Sequence, residues 1–419
     1  MLDITQLYCS HLTSRTLPTQ TPGPAMEAVA AAPFLVPFSM AGCKPRVVWQ
    51  VTQSCNMNCL NCASNSRPRN YAAELSSHEA VELIDDLAGF DVPQLIFGGG
   101  EPLMRPDLLE LVAHARKRNI LTSLSTNGTL LTPANVAGLK RAGIHSVSVL
   151  LEGLGWEVDR QRGVRGAFEA TVEGYRSCQA AGLDVGFHTP LNRSTFQELH
   201  RIFDWAERLH VRRLVFSHLV YAGRGNSPEN DLTHAEKRRA LDLILERAED
   251  LVCRSVGMRI GTSENYVDGV YLYLQLVRKN PVRALRVLTQ LQACESGVYG
   301  AGVGLAGIDS TGNVHPDPHW HRYVLGNIRE TPFSKIWAKP TDPLLVGLRD
   351  RLPLLKGRCA HCRWQEACGG SLRVRAEECF DDPWMTDPAC YLTGEEINKE
   401  LPDQVEAMED DVLLPEQAA

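Results

Sequence analysis

The sequence predicts an α/β protein in which helices cover a parallel sheet, followed by a smaller cysteine-rich region. Between about residues 46 and 220, short apolar segments alternate with amphipathic segments of helical period, which is typical of successive β-then-α units. Cysteines cluster twice, first between residues 55 and 62 and again between residues 359 and 390. This alternation does not by itself distinguish an open sheet from a closed or partly closed barrel.

Each predicted element follows from a local pattern. The first helix opens with Ser76 and Glu79, a capping-box pair, and further helices are predicted at 107–118, 133–142, 167–181 and 195–209. Residues 233–293 look mainly helical, and Val303–Asp309 begins a hairpin that turns at 310–313. The six predicted strands are Val47–Val51, Gln94–Phe97, Leu121–Ser125, Ser146–Leu151, Leu183–His188 and Arg213–Leu219.

These patterns divide the chain into five regions. They are an N-terminal extension (1–45), a β/α region (46–232), a helical connecting region (233–296), a second cysteine region (297–395) and an acidic tail (396–419).

Composition narrows the class of protein. The 419 residues carry a formal net charge of −7, which argues against a nucleic-acid-binding surface. The first residues lack the basic segment of a signal peptide, and the apolar run at 28–42 is short and contains Pro33 and Pro37, so we expect no membrane span. We therefore expect a cytoplasmic protein, in which clustered cysteines indicate metal binding and not disulfides.

The first cysteine cluster, Cys55, Cys59 and Cys62, has the spacing C-x3-C-x2-C and follows the first predicted strand. The carboxyl ends of parallel strands are where α/β folds bind ligands. Three thiolates on one loop can bind three irons of a [4Fe–4S] cluster, which leaves the fourth iron open to a small molecule. The spacing and the position together predict a reactive iron–sulfur centre.

The second cluster begins with Cys359, Cys362 and Cys368, a C-x2-C-x5-C arrangement typical of metal ligands. Four thiolates would saturate either a [4Fe–4S] cluster or a structural zinc ion. Cys379 and Cys390 compete for the fourth position. We favour Cys390, because the Asp-Pro-Ala segment before it provides a rigid turn.

Polar or glycine-rich turns follow three further predicted strands, at the same edge of the sheet as the cysteine loop. Each turn alone is a weak signal, because many βα turns are rich in glycine or asparagine. Their shared position strengthens all of them as parts of one ligand site. The residues concerned are Gly99, Gly100, Glu101, Ser125, Asn127 and Glu152.

Two more segments carry side chains suited to binding carboxylates. His218, Tyr221 and Arg224 follow the sixth strand. His315 lies in a histidine-rich loop, for which a metal site is the less favoured interpretation.

Together, the cysteine loop, the GGGEP segment and the STNG turn resemble the radical S-adenosylmethionine (SAM) superfamily, and the second cysteine region resembles its SPASM/twitch auxiliary-cluster domain. The resemblance implies an enzyme with a partial (β/α)6 TIM-like barrel. It implies that Cys55, Cys59 and Cys62 hold a [4Fe–4S] cluster that binds SAM, whose cleavage releases a 5′-deoxyadenosyl radical. It also implies that Gly99, Gly100 and Glu101 line the methionine part of SAM and that Ser125, Asn127 and Glu152 face its ribose and carboxylate.

The same resemblance implies one auxiliary [4Fe–4S] cluster, held by Cys359, Cys362, Cys368 and Cys390. Leu372 stands where the full SPASM pattern has a ligand of a second auxiliary cluster. The chain departs from the superfamily pattern at four further positions around the predicted SAM site. They are Asn61, Ala63, Glu152 and His188, where a histidine, an aromatic residue, an aspartate and an arginine are usual.

Within this group the chain resembles most the radical SAM proteins of heme d1 biosynthesis, from residue 1 to about 397. This implies a tetrapyrrole substrate, 12,18-didecarboxysiroheme, from which two propionate side chains are removed before oxo groups replace them. It further implies a small electron donor such as flavodoxin or ferredoxin, and no nucleic-acid or membrane partner. The residues expected near the substrate are His218, Tyr221, Arg224 and His315.

Three alternatives remain open from the sequence. The chain could decarboxylate or deacetylate the side chains of a related tetrapyrrole in the heme b branch, or it could modify a peptide, as many SPASM enzymes do. From a different class, it could be an iron–sulfur electron-transfer protein. The strand-end turns argue against the last alternative, because an electron carrier needs no SAM pocket.

Overall fold

The computed structural model describes residues 1–9, 44–224, 228–293, 300–338 and 340–398. Within these ranges one 11-stranded sheet has the order β1-β8-β7-β6-β5-β4-β3-β2-β9-β10-β11. The strands are β1 (Leu2–Asp3), β2 (Arg46–Thr52), β3 (Gln94–Gly99), β4 (Leu121–Thr126), β5 (Ser146–Leu150), β6 (Asp184–Leu191), β7 (Arg213–His218), β8 (Arg259–Ser263), β9 (Leu305–Ile308), β10 (Asn313–His315) and β11 (Gly326–Asn327).

Strands β2 to β8 are parallel and lie side by side in chain order, and β9 pairs parallel to the other side of β2. Helices connect these strands. The described helices are α1 (Ser77–Gly89), α2 (Leu108–Lys117), α3 (Pro133–Ala142), α4 (Trp156–Arg162), α5 (Ala167–Ala180), α6 (Arg193–Gln197), α7 (Leu199–Arg208), α8 (His234–Cys253), α9 (Val267–Lys279), α10 (Pro281–Ala293), α11 (Phe333–Ala338), α12 (Pro343–Arg349), α13 (Gln365–Cys368), α14 (Arg373–Phe380) and α15 (Gly394–Asn398).

The two faces of the sheet differ in composition. Side chains on the outer face are large and apolar, and Trp49, Phe97, Phe187 and Phe216 are at most 1% exposed. Since side chains alternate along a strand, the residues between them face inward. One inner-face residue from each of the eight parallel strands lines the same cavity, so the sheet curves around that cavity as a partial barrel. These residues are Val48, Ile96, Ser125, Ser148, His188, Val215, Ser263 and Leu305.

The predicted fold class is confirmed, and strands β2 to β7 occupy the six predicted positions. The capping box at Ser76 is present, because Ser76 and Glu79 each accept a hydrogen bond from the backbone N–H of the other. The predicted hairpin is also present as β9 and β10, which pair antiparallel.

Three strands lie where the sequence predicts none, namely β1, β8 and the two-residue β11 that pairs with β10. Strand β8 falls inside the region expected to be mainly helical, because its five residues are too short to interrupt the helical pattern on both sides. Strand β1 belongs to the predicted extension, yet it pairs antiparallel with β8, so the first residues of the chain are part of the sheet. Residues 10–43 of that extension and 399–419 of the predicted tail lie outside the described residues.

The second cysteine region contacts both sides of the fold, because β9 to β11 extend the sheet beyond β2 while α13 packs near the opposite edge. Helix α13 contacts both α9 and α10, which follow β8 in the chain. Of the described helices, none is long and apolar enough to cross a membrane.

Candidate active site

The first three cysteines lie together on the loop that follows β2. Burial raises the pKa of the Cys55 thiol to about 11 and that of the Cys59 thiol to about 12. The charges of Cys55 and Cys62 both act on Cys59, so the three thiols are close neighbours. Burial thus disfavours the thiolate form of these side chains, and a bound metal centre would offset that effect because it stabilises the thiolate.

Hydrogen-bond donors surround two of these sulfur atoms. The backbone N–H of Met57 lies 3.4 Å from the Cys55 sulfur, and the Asn127 side-chain amide lies 4.0 Å from it. The Ser64 hydroxyl oxygen lies 3.5 Å from the Cys62 sulfur. Hydrogen bonds to cluster sulfurs are typical of iron–sulfur proteins. The residues of this loop therefore fit a [4Fe–4S] cluster held by three cysteines.

Arg224 holds the cysteine loop in place. Its guanidinium donates hydrogen bonds to the carbonyl oxygen of Cys59 at 2.8 and 3.0 Å, and its backbone exchanges two hydrogen bonds of 2.9 Å with Cys62. Arg224 was predicted to lie near the substrate. The structure places its charged group on the loop backbone, so a contact with substrate stays a prediction.

Gly99 and Gly100 allow the turn after β3 to lie against the same loop. A Cβ atom at Gly99 would clash with the carbonyl oxygen of Thr52, and one at Gly100 would clash with that of Ser54. Because no Cβ atom keeps the two segments apart, the N–H of Gly100 donates a hydrogen bond of 2.8 Å to the carbonyl oxygen of Thr52. Both glycines are therefore required by the packing of one backbone segment on another, in addition to any contact with SAM.

The Glu101 carboxylate connects the turn after β3 to the turn after β4. It is fully buried, and it accepts hydrogen bonds from the Thr126 hydroxyl at 2.8 Å, from the Asn127 N–H at 2.9 Å and from the Leu103 N–H at 3.1 Å. Burial raises the pKa of Glu101, and these donors oppose that rise. Because protein donors surround the carboxylate, its predicted contact with SAM stays a prediction.

The Arg162 side chain connects the turns after β4 and β5. No sequence motif predicted it as a site residue. Its guanidinium is fully buried and donates to Glu152 Oε2 at 2.9 Å, to the Asn127 carbonyl oxygen at 2.9 Å and to the Leu150 carbonyl oxygen at 2.7 Å. One side chain thereby links the ends of β4 and β5. The Asn127 amide donates in turn to Asn56 of the cysteine loop at 2.8 Å.

A cavity of about 420 Å³ opens beside Cys59 and fills the inside of the curved sheet. Its volume lies within the usual range for small-molecule sites. Two predicted SAM residues, Ser125 and Glu152, line it. The four positions at which the chain departs from the superfamily pattern are all on its wall, namely Asn61, Ala63, Glu152 and His188.

Of the four residues predicted near the substrate, His218 borders this cavity, but its imidazole faces Asp268, with Nε2 3.0 Å from the carboxylate. The Tyr221 hydroxyl donates to Asp231 at 2.7 Å. His315 Nδ1 lies 2.6 Å from the Tyr323 carbonyl oxygen. Tyr221, Arg224 and His315 are not among the residues that line the cavity. The direct substrate contacts of these four stay predictions.

Cys359, Cys362, Cys368 and Cys390 line a second, much smaller cavity of about 20 Å³. Burial raises the pKa of the Cys368 thiol well above its usual value, and the charges of the other three cysteines act on it as well. Cys379 lies on α14 and does not line this cavity. Within the described ranges, no three His, Cys, Asp or Glu side chains converge as tightly as the ligands of a single ion.

A buried arginine tests whether this second site fits an anionic group. Arg373 is 1% exposed, and its Nε and Nη2 atoms have no hydrogen-bond partner among the described residues. Its Nη2 lies against Gly370, which lines the small cavity, and the charges of Cys359 and Cys368 act on it. Buried unpaired donors are costly, and an anionic cluster would supply their acceptor. The residues present therefore fit a four-thiolate iron–sulfur cluster.

The fold and the two cysteine sites define a class of protein: partial α/β barrels with one cysteine site at the mouth of the barrel and a second in a C-terminal domain. The family model for the radical SAM superfamily matches residues 49–206, and that for an iron–sulfur cluster-binding domain (SPASM) matches residues 301–363. The chain belongs to the radical SAM superfamily. It is therefore an enzyme whose cofactors are SAM and iron–sulfur clusters.

Relatives with named activities align along most of the chain. The Fe-coproporphyrin III synthase of Methanosarcina barkeri is 41% identical over 95% of this chain and 99% of its own length. The pre-heme d1 synthase of Dinoroseobacter shibae is 39% identical over 84% of this chain and 87% of its own length. An AdoMet-dependent heme synthase of M. barkeri is 31% identical over 84% of this chain and 97% of its own length.

Solved structures share the fold at low sequence identity. Native anSMEcpe with bound AdoMet superposes with a TM-score of 0.64 and 17% identity, covering 83% of this chain and 94% of that one. Streptococcus suis SuiB bound to its precursor peptide SuiA has a TM-score of 0.64 and 15% identity, covering 90% of this chain and 85% of that one. These two similarities support the fold alone.

Proposed function

We propose that this enzyme removes carboxylate-bearing side chains from a siroheme-derived tetrapyrrole, 12,18-didecarboxysiroheme. In the heme d1 reaction predicted from the sequence, two propionates are removed so that oxo groups can replace them. The observation that carries the proposal is the large cavity that begins beside Cys59, in a chain whose named relatives synthesise heme compounds.

The roles proposed for the site residues follow from their positions. Cys55, Cys59 and Cys62 hold the [4Fe–4S] cluster. When bound, the cluster and SAM supply a 5′-deoxyadenosyl radical, which can take hydrogen from an unactivated C–H bond that no ordinary base could deprotonate. The backbone of Gly99 and Gly100 binds the methionine part of SAM, and Ser125, Asn127 and Glu152 orient the ribose and carboxylate.

Charged groups of both signs line the large cavity. The arginines Arg46, Arg213 and Arg373 border it together with the carboxylates Glu152, Glu264 and Asp317, so the wall offers basic groups to the carboxylates of a substrate without an excess of positive charge. Arginine is suited to this task because its planar guanidinium binds carboxylates with two parallel hydrogen bonds. Small wall residues, such as Ser148 and Ser217, leave room for a broad, flat ligand.

In the C-terminal domain, we propose that Cys359, Cys362, Cys368 and Cys390 hold one auxiliary [4Fe–4S] cluster. The shared cavity of these four thiols and the action of the other three on Cys368 support this set over one that contains Cys379. A small electron donor such as flavodoxin or ferredoxin would supply electrons to the enzyme.

A second candidate is the removal of acetate side chains from the same kind of tetrapyrrole, as in the heme b branch. The match to Fe-coproporphyrin III synthase favours it, because that relative aligns over 99% of its own length. The two candidates share a reaction class, a cofactor set and a cavity, and they differ in which side chains reach the radical.

One experiment separates these possibilities. The anaerobically reconstituted enzyme is incubated with a reductant, SAM and didecarboxysiroheme, and 5′-deoxyadenosine and the tetrapyrrole mass are both measured. Loss of two propionates supports the heme d1 reaction, whereas loss of two acetates supports the second candidate. If 5′-deoxyadenosine forms while the tetrapyrrole mass stays unchanged, the substrate proposal is wrong. If no 5′-deoxyadenosine forms, the assignment of radical chemistry to these cysteines fails.

A further inference from the structure

His188 projects from the middle of β6 into the large cavity. Its neighbours Val185 and Phe187 are at most 2% exposed and face the outer helices, so the alternation of the strand directs His188 inward. In the sheet register it lies beside Leu150 on β5 and Val215 on β7, which also line the cavity. The imidazole is thus flanked by apolar side chains on a rigid wall.

The imidazole of His188 is available as a ligand at neutral pH. Burial lowers its pKa to about 4, so the ring is uncharged. Within the described residues its one hydrogen-bond partner is the Ser263 hydroxyl, 3.4 Å from Nε2, which is a long and weak contact. A neutral imidazole with an available lone pair is a preferred ligand of iron in proteins, including haem iron.

The other histidines at this cavity are less accessible or less rigidly held. His218 contacts Asp268 through Nε2, and its Nδ1 has no hydrogen-bond partner among the described residues, but its side chain is only about 1% exposed, whereas that of the half-buried His188 reaches the cavity. His319 lies on the loop after β10, and its charge acts on His188, so the two rings share the cavity. A strand position holds a ring more rigidly than a loop position does.

We infer that His188 is an axial ligand to the iron of the tetrapyrrole substrate. This inference rests on the proposed function, because it requires an iron tetrapyrrole in the cavity. Coordination from β6 would hold one face of the macrocycle against Leu150 and Val215. It would thereby determine which edge of the macrocycle, and so which side chains, point toward Cys59 and the SAM site.

The test uses the reconstituted holoenzyme with ferric Fe-coproporphyrin III as probe, followed by absorption and EPR spectroscopy. We expect the spectrum of an imidazole-ligated iron in the wild type, its loss in His188→Ala and its recovery when imidazole is added. The matched control His319→Ala should keep the wild-type spectrum. Equal cluster iron in all three proteins shows that the variants are folded.

A second measurement compares Fe-coproporphyrin III with metal-free coproporphyrin III. The wild type should bind the iron form more tightly, and His188→Ala should lose at least about tenfold in affinity for the iron form alone. An unchanged spectrum in His188→Ala, or loss of the signal in His319→Ala instead, would overturn the inference while leaving the proposed function intact. If the wild type bound neither porphyrin, the substrate class itself would be wrong.

Discussion

The two cysteine sites differ in number of thiols and in the space around them. The first has three cysteines beside a cavity of about 420 Å³, whereas the second has four cysteines around a cavity of about 20 Å³. Hydrogen-bond donors and strand-end turns surround the first, while the buried Arg373 and the apolar residues Leu355 and Leu392 lie around the second.

This difference indicates two functions for one kind of cofactor. A cluster with an unliganded iron needs adjacent space, because a small molecule must reach that iron. A cluster with four protein ligands needs no such space, and nearby charges set its potential. We therefore expect SAM cleavage at the first site, and we propose that the second cluster takes no part in that cleavage.

The largest effect is expected at the open site. Cys59→Ala removes one of three proposed cluster ligands, so 5′-deoxyadenosine formation should be abolished. The measurement is chromatography of the products formed from SAM under reductant. Cys253→Ala, which changes an exposed thiol, is the control and should react like the wild type. Normal SAM cleavage by Cys59→Ala would remove the distinction between the two sites.

An intermediate effect is expected at the second cysteine site. Cys390→Ala should lower the iron content by about half, the share of one of two four-iron clusters, while SAM still binds at the first site. Iron analysis and EPR of the reduced protein measure this loss. Cys379→Ala is the matched control, because its thiol lies outside the small cavity. If Cys379→Ala lost the iron instead, the assignment of the fourth ligand would be wrong.

The smallest effect is expected when the positive charge beside the second cysteine cluster is removed. Arg373→Met keeps most of the side-chain volume but removes a buried positive charge near Cys359 and Cys368. Because a reduced cluster carries one more negative charge, its midpoint potential should fall, whereas that of the first cluster should stay the same. Potentiometric EPR checks both values. Arg373→Lys should shift the potential less, and equal shifts in the two variants would count against a charge effect.

Local patterns were sufficient for much of the fold. The apolar segments of β2 to β7, the capping box at Ser76 and the β9–β10 hairpin were predicted because each depends on residues close in sequence. Strand β8 was missed since its five residues carry little periodic signal, and their role depends on pairing with β7 and β1.

The functional site, like the fold, has parts that the sequence predicted and parts that it did not. The spacing of Cys55, Cys59 and Cys62 pointed to a metal loop before any contact was known. By contrast, the guanidinium groups of Arg162 and Arg224 form hydrogen bonds to residues up to 35 and 165 positions away, respectively. No motif contains Arg162, and the segment that contains Arg224 predicted a substrate contact, so sequence inspection could neither identify Arg162 nor assign Arg224 to the cysteine loop.

The sequence by itself determined the succession of strands and helices and the two groups of cysteines, because these depend on periodicity and on short spacings, and the resemblance of its motifs implied the superfamily and its partial barrel. Only the tertiary structure decided that Cys390 joins the small cavity while Cys379 does not, that Glu101 faces protein donors, and that His188 faces the large cavity. The physical reason is that these facts depend on how distant segments pack. Curvature of the sheet and long-range hydrogen bonds, not local composition, set the direction of each side chain.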